Sequence, residues 1–141
     1  MSAHLTHVAL FVRDVAATVA FYGDFVGLHV VHDRVDQDVR VVWLSERTRA
    51  PEFVIVAIGV APAEGSVPPR FAHFGYDLAS REAVDAIAQR ARQAGVLERG
   101  PLDAGPIVGY SCILRDPDGN LVEFSYGQPI DPEKAGRDDK K

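Results

Sequence analysis

The chain repeats one pattern of residues, and this repetition limits its fold more than any other feature of the sequence. The segments LTHVALFVRD and FAHFGYDLAS each carry a histidine in third place, His7 in the first and His73 in the second. The same offset of 66 residues aligns Asp14 with Ser80, and both residue types are favoured at helix N-termini. Two copies at this spacing indicate a pair of related modules, because a solenoid needs at least three repeats.

The first module has the hydrophobic pattern of one strand, one helix and three more strands. Around His7 the chain is rich in β-branched and aromatic residues, as buried strands are. Apolar residues then recur at helical spacing over Val15–Val26, and Gly27 follows where a left-handed glycine commonly ends a helix. The remaining strand-like runs are Leu28–Asp33, Val39–Leu44 and Phe53–Ile58. A polar turn at residues 34–38 and a proline-containing loop separate them, so a βαβββ module is expected at about residues 5–60.

The second module repeats this order after a proline-rich link at residues 61–69. Its first strand is expected at Phe71–Leu78 and its helix at Glu82–Ala94, with Gly95 ending the helix. Its remaining strands are expected at Val96–Arg99, Pro106–Leu114 and Leu121–Tyr126. The second copy therefore predicts another βαβββ module, at about residues 70–127.

Length and composition predict one globular domain with a tail. A chain of 141 residues with 47% hydrophobic residues can bury one sizeable core but not two independent ones. We expect a single α+β domain over residues 1–127, and the charged segment 128–141 has the composition of a flexible tail. The formal net charge of −5 disfavours a nucleic-acid partner.

The cellular setting is predicted from what the sequence lacks. The single cysteine, Cys112, excludes an internal disulfide and fits a reducing compartment. The first residues lack the apolar stretch of a signal peptide, and no apolar run is long enough to cross a bilayer. We therefore expect a soluble cytoplasmic protein.

The most specific local signal is the segment RDPDGN at residues 115–120. Its proline presets φ and its glycine supplies a positive φ, which predicts a three-residue hairpin loop with a bulge. That register places Glu123 opposite Ile113, whereas a two-residue loop would put Cys112 on the Glu123 face. Glu123 lies in the run LVEF, which is otherwise suited to burial. A buried carboxylate needs a positive partner, and a metal ion would supply one.

These motifs resemble the vicinal oxygen chelate superfamily, which includes glyoxalase I, bleomycin-resistance proteins, fosfomycin-resistance transferases and extradiol dioxygenases. The resemblance covers residues 5–127 and rests on both histidine strands, the FY and GL pairs around the first helix end, and DPDGNLVE at residues 116–123. It implies that the paired modules form an open barrel-like sheet around a metal cleft. It also implies that His7, His73 and Glu123 bind one divalent metal (Fe, Mn, Zn, Ni or Co) and leave coordination positions open for substrate.

The sequence departs from each well-known member of the superfamily. Glyoxalase I has a second carboxylate on the last strand of its first module, where this chain has the apolar Ile55 or Val56. Glu52, at the start of that strand, is the other carboxylate nearby. The resemblance places the threonine of the fosfomycin transferases at Ala9 and the tyrosine of the ring-cleaving dioxygenases at Ile113. The three-ligand set without a second glutamate favours dioxygenase-like or lyase-like chemistry over that of glyoxalase I.

The other polar residues have simpler structural interpretations. His4, His29 and His32 are expected to be half-buried strand histidines that bind no metal. Cys112 is expected to be a small buried packing residue. Tyr110 is the candidate for a general acid, although its position also suits an amphipathic packing role, which is the simpler interpretation.

Two functions follow as hypotheses. The first is a metal-dependent enzyme that acts on a small molecule chelated through vicinal oxygens. The alternative is a metal-free small-molecule binding protein of the bleomycin-resistance type. Both take a small molecule and neither takes nucleic acid or a membrane, and open-edged sheets favour pairing into a homodimer. The sequence leaves open whether the ligands come from one chain or two, and which metal and substrate are bound.

Overall fold

The structure, a computed structural model, describes residues 5–66 and 72–128. Two compact units divide the chain between Val67 and Pro68, inside the link between the predicted modules. The predicted tail lies outside the described residues except for Gln128. Within the described ranges, no helix is long and apolar enough to cross a membrane.

The first unit is a βαβββ module with one four-stranded sheet. Its elements are β1 (His7–Phe11), α1 (Val15–Phe21) continued by a π-helical turn (Tyr22–Val26), β2 (His29–Asp36), β3 (Val39–Ser45) and β4 (Val54–Ile58). The strand order is β1-β4-β3-β2. β1 runs parallel to β4 and the other neighbours are antiparallel.

The ends of the first helix are fixed by the residues that predicted them. The Asp14 side chain accepts a hydrogen bond from the Ala17 amide at 3.0 Å, which satisfies a free N–H of the first turn. At the other end Gly27 has φ 82° and Leu28 donates its amide hydrogen to the Tyr22 carbonyl at 3.0 Å. The left-handed glycine therefore lets the chain leave the helix and enter β2.

The second unit repeats the same topology. Its elements are β5 (His73–Asp77), α2 (Arg81–Gln93), β6 (Leu97–Asp103), β7 (Tyr110–Arg115) and β8 (Leu121–Tyr126), in the strand order β5-β8-β7-β6. Ser80 caps α2 by accepting from the Ala83 amide at 3.1 Å, and Gly95 with φ 72° follows its end. The expected fold class is thus confirmed as two βαβββ modules with open four-stranded mixed sheets.

Three strand boundaries differ from the predictions by three or more residues. β2 continues to Asp36, so that the predicted turn at 34–38 contains only two turn residues, Gln37 and Asp38, both at positive φ. The polar end of β2 stays in the sheet because Arg40 of β3 binds Asp33 through two hydrogen bonds of 3.2 and 2.8 Å. In the second unit β6 extends to Asp103, beyond its predicted end, and β7 begins at Tyr110, four residues after its predicted start.

Each helix covers one face of its own sheet. In the second unit α2 contacts β6, β7 and β8 and buries Val84, Ala88 and Ala91. Val122 and Phe124 of β8 are buried almost completely in this layer. Because side chains alternate along a strand, Glu123 points to the sheet face opposite α2.

Candidate metal centre

The hairpin between β7 and β8 sets the position of Glu123. Asp116 donates its amide hydrogen to the Asn120 carbonyl at 2.9 Å, and Gly119, with φ 84°, donates to the Asp116 carbonyl at 3.0 Å. The buried Asp116 carboxylate also accepts from the Asp118 and Asn120 amides and from the Asn120 side chain, at 2.8–2.9 Å. The predicted three-residue loop is confirmed, and its rigid hydrogen bonding fixes the register of β8.

That register gives Glu123 two different neighbours. Ile113 of β7 lies directly opposite, as predicted, and Gly75 of β5 lies on the other side. A Cβ atom at Gly75 would come within 3.5 Å of the Glu123 Cβ. The glycine therefore leaves free volume beside the carboxylate, where a larger side chain would lie.

His73 and Glu123 come together across the parallel pair of β5 and β8. Nε2 of His73 lies 3.1 Å from Oε2 of Glu123. The glutamate is only 7% exposed, and its Oε1 is buried and accepts no hydrogen bond from the part of the chain that the structure describes. Burying a carboxylate oxygen without a hydrogen-bond donor costs free energy. A further positive group close to Oε1 would offset this cost.

The pair fits a divalent metal ion by both geometry and chemistry. Adjacent ligand atoms of an octahedral ion, each at about 2.1 Å from it, lie about 3 Å apart. The distance of 3.1 Å between Nε2 and Oε2 matches that separation. Imidazole and carboxylate together suit Mn, Fe, Co, Ni and Zn. The residues present in the second unit therefore fit two positions of such an ion.

His7 occupies in the first unit the place that His73 has in the second. His7 of β1 lies opposite Val54 of β4, just as His73 of β5 lies opposite Leu121 of β8. The Thr6 hydroxyl lies 2.9 Å from Nδ1 of His7. Where the hydroxyl accepts a hydrogen bond from Nδ1–H, Nε2 keeps the lone pair that a metal needs, and where the hydroxyl donates to Nδ1 the proton is on Nε2. Sequence reasoning missed this contact of Thr6, although the residue directly precedes the histidine.

The first unit has no carboxylate at the position of Glu123. Val56 lies opposite Ala9, two residues after His7, just as Glu123 lies opposite Gly75, two residues after His73. Of the two residues considered from the sequence, Val56 is therefore the counterpart. Glu52 lies before β4 and pairs with Arg47 at 3.3 Å. Within the described residues of either unit, no three His, Cys, Asp or Glu side chains form a cluster that could hold a metal.

Tyr110 and Cys112 lie on the helix-covered face of the second sheet. The Tyr110 hydroxyl donates to Asp85 of α2, and the Arg81 guanidinium carbon lies 4.8 Å from the centroid of the tyrosine ring. The hydrogen bond to Asp85 raises the pKa of Tyr110 above its ordinary value. Cys112 is buried, and burial raises the pKa of its thiol to about 11. Both residues are thus separated from Glu123 by the sheet.

A sequence model of the Glyoxalase/Bleomycin resistance protein/Dioxygenase superfamily matches residues 4–124. The protein is also 45% identical over 132 residues to an uncharacterized protein of Pseudomonas aeruginosa, PA2024, covering 94% of each chain. The chain therefore belongs to the Glyoxalase/Bleomycin resistance protein/Dioxygenase superfamily, as its motifs predicted.

Solved structures with the same fold come from several functional groups. A possible glyoxalase from Bacillus cereus has a TM-score of 0.68 at 22% identity, with 88% of this chain and 99% of that chain covered. A mutant of the fosfomycin resistance protein FosX from Listeria monocytogenes, complexed with Mn(II) and 1S,2S-dihydroxypropylphosphonic acid, has a TM-score of 0.71 at 21% identity, with 94% and 98% covered. The trypanothione-dependent glyoxalase I of Leishmania major has a TM-score of 0.69 at 14% identity, with 90% and 88% covered. At these identities the likeness establishes the fold alone.

Proposed function

We propose that the protein is a metal-dependent enzyme in which His7, His73 and Glu123 bind one divalent ion, and that its substrate is a small molecule with two adjacent oxygen atoms. The observation that carries the proposal is the buried Oε1 of Glu123, which lacks a hydrogen-bond donor among the described residues while Oε2 lies 3.1 Å from Nε2 of His73. A metal ion would supply the missing positive charge.

Each residue of the set has a defined task in this proposal. Glu123 supplies the negative charge, and its burial protects the ion from displacement by solvent. His73 supplies Nε2, which already faces the carboxylate. His7 supplies the third ligand, with Thr6 orienting its ring through Nδ1. When bound, the ion would polarise the adjacent oxygens of the substrate and stabilise the negative charge that develops on them.

The comparison with FosX supports the substrate class. That mutant protein was complexed with Mn(II) and a phosphonic acid that carries two hydroxyl groups on adjacent carbons. For the reaction, the relevant observation is that Val56 stands where glyoxalase I has its second carboxylate. We therefore favour dioxygenase-like or lyase-like chemistry over the isomerase chemistry of glyoxalase I.

The second candidate function is a metal-free binding protein, which one observation favours. The separation of 3.1 Å between His73 and Glu123 is also that of an ordinary ion pair. A protonated His73 could then neutralise Glu123 without a metal. Metal content separates the two functions.

The test begins with protein purified anaerobically, whose metal content is measured by elemental analysis. We expect about one equivalent of a divalent transition metal per chain, and its loss in the His73→Ala and Glu123→Gln variants. The His29→Ala variant is the matched control, because His29 is exposed at the start of β2. Oxygen uptake with catechols in the presence of Fe(II) then tests the dioxygenase reaction. Metal-free protein whose small-molecule binding is unchanged in both ligand variants would contradict the proposal.

A further inference from the structure

One face of the first sheet is left uncovered by α1. The helix contacts β3 and β4. A Cβ atom at Gly59 would lie 3.1 Å from a methyl carbon of Val15 in α1, so Gly59 faces the helix. By alternation Ala57 also faces the helix, and it is fully buried. Val56 and Ile58 consequently face the opposite side of the sheet.

A row of side chains crosses this uncovered face from β1 to β2. The cross-strand partners are Ala9 with Val56, Val56 with Trp43, and Trp43 with His32. His7 lies on the same face as Ala9, two residues earlier in β1. The face thus runs from the proposed metal ligand, over small and apolar side chains, to an aromatic pair at the edge strand.

The ring of Trp43 contacts two polar side chains, those of His32 and Arg34. Its ring centroid lies 4.7 Å from that of His32, and the Arg34 guanidinium carbon lies 5.8 Å from its centroid. Trp43 nevertheless remains 37% exposed among the described residues. Large aromatic side chains fixed in this way and still accessible are typical of ligand-binding surfaces.

Arg34 has capacity to bind an anion. Its Nε donates to Asp36 at 2.8 Å, and its side chain is 38% exposed. Its hydrogen bonds to the described residues involve Nε alone, so the two terminal nitrogens can still donate to a carboxylate. The neighbouring Asp33 is paired with Arg40 on the helix-covered face, which leaves Asp36 as the carboxylate beside Arg34.

From this arrangement we infer that the uncovered face of the first sheet binds an aromatic carboxylate, with the apolar body on the exposed ring of Trp43 and the carboxylate on Arg34. The inference rests on the proposed function in taking this ligand to be the substrate. His7 lies on β1 and Arg34 on β2, and these strands are three strand spacings apart, about 14 Å. The substrate would therefore carry its adjacent oxygens at one end and its carboxylate at the other.

Trp43 is the single tryptophan of the chain, so its fluorescence reports this face alone. Three probes are titrated into metal-free protein: 3-phenylpropionate, catechol, and 3-(3,4-dihydroxyphenyl)propionate. We expect both carboxylates to change the Trp43 emission in a saturable way, and catechol to bind more weakly. The Arg34→Met variant should weaken both carboxylates about tenfold and leave catechol unchanged, because a charge-assisted pair is lost.

Arg40→Met is the matched control, since Arg40 belongs to the same sheet and is also ion-paired, but on the other face. It should bind all three probes as the wild type does. Equal affinities of wild type and Arg34→Met for 3-phenylpropionate would overturn the inference, and so would the absence of any saturable signal. Mn(II) tests the proposed function separately, because it should strengthen only the probes with two adjacent hydroxyls. A carboxylate site that depends on Arg34 without any effect of Mn(II) would leave the inference standing and contradict the metal site.

Discussion

Glu123 combines burial with an incomplete set of hydrogen bonds, which makes it a site where stability and function compete. The Glu123→Met variant removes the buried oxygen that has no donor in the described part of the chain. A buried carboxylate oxygen that accepts no hydrogen bond costs free energy, so an apolar side chain of similar size removes that cost. In the presence of a chelator we expect the free energy of unfolding in urea to rise by about 1 kcal/mol.

The control for this change is Glu98→Met, because Glu98 is an exposed glutamate paired with Arg115. Exposed ion pairs contribute little, so its free energy of unfolding should change by less than about 1 kcal/mol. If Glu123→Met instead destabilises the metal-free protein strongly, the contact with His73 is a structural ion pair, and the functional interpretation of Glu123 is weakened.

Cys112 is a second residue whose environment can be tested. Burial, and then the negative charges of Glu123 and Asp85, raise the pKa of its thiol to about 11. The native thiol is therefore protonated at neutral pH and should react slowly with a disulfide reagent, and quickly once the protein is unfolded.

The same pKa shift has a consequence for stability. The protonated thiol contributes fully to the free energy of unfolding at pH values below the ordinary pKa of cysteine. This contribution is lost as the pH rises through the pKa in the folded protein, which is about 11. Between about pH 9 and 11 the free energy of unfolding of the wild type should fall more than that of Cys112→Ala. Parallel pH dependences in urea would contradict this expectation.

At the scale of the secondary-structure elements, the β7–β8 hairpin determines the position of Glu123. Asp116→Ala removes the acceptor of three hydrogen bonds from Asp118 and Asn120. Because Asp116 is buried, the loss should cost about 2–3 kcal/mol in the free energy of unfolding. Asp116→Asn keeps one acceptor oxygen and should cost less. Equal stability of all three proteins in thermal unfolding would show that the loop does not depend on this carboxylate.

The hairpin also illustrates which parts of the fold were predictable. Its loop follows from local turn chemistry, so the sequence predicted both the loop and the pairing of Glu123 with Ile113. The capping by Asp14 and Ser80 was predictable for the same reason. The true extent of β2 was not, because the ion pair of Asp33 with Arg40 exists only once the strands are paired.

The candidate site was only partly predictable for a related reason. The sequence assigned Glu123 and both histidines through the duplicated pattern and the family resemblance. It could not choose between Ile55 and Val56, because that choice depends on the register of β4 with β1. The contact of His73 with Glu123 joins residues 50 positions apart across a parallel pair, where no local rule applies.

At the scale of the whole molecule, the homodimer stays a prediction with its own measurement. Among the described residues, each four-stranded sheet has two edge strands that pair on one side only, β1 and β2 in one unit and β5 and β6 in the other. Open edges favour pairing with a second surface. Sedimentation velocity should therefore give a mass of about twice the 15.3 kDa of the chain. A monomer that keeps its full metal content would show that pairing is not needed for the site.

The proposed metal site is tested most directly by titrating Mn(II) into metal-free protein and following the electron paramagnetic resonance signal of the free ion. The wild type should remove about one equivalent of Mn(II) per chain from solution. His7→Ala, His73→Ala and Glu123→Gln should each weaken binding at least tenfold, because each removes one of three ligands, while His29→Ala should bind as the wild type does. Wild-type protein that takes up no Mn(II), or His7→Ala that binds it unchanged, would contradict the assignment of His7, His73 and Glu123 as the metal ligands.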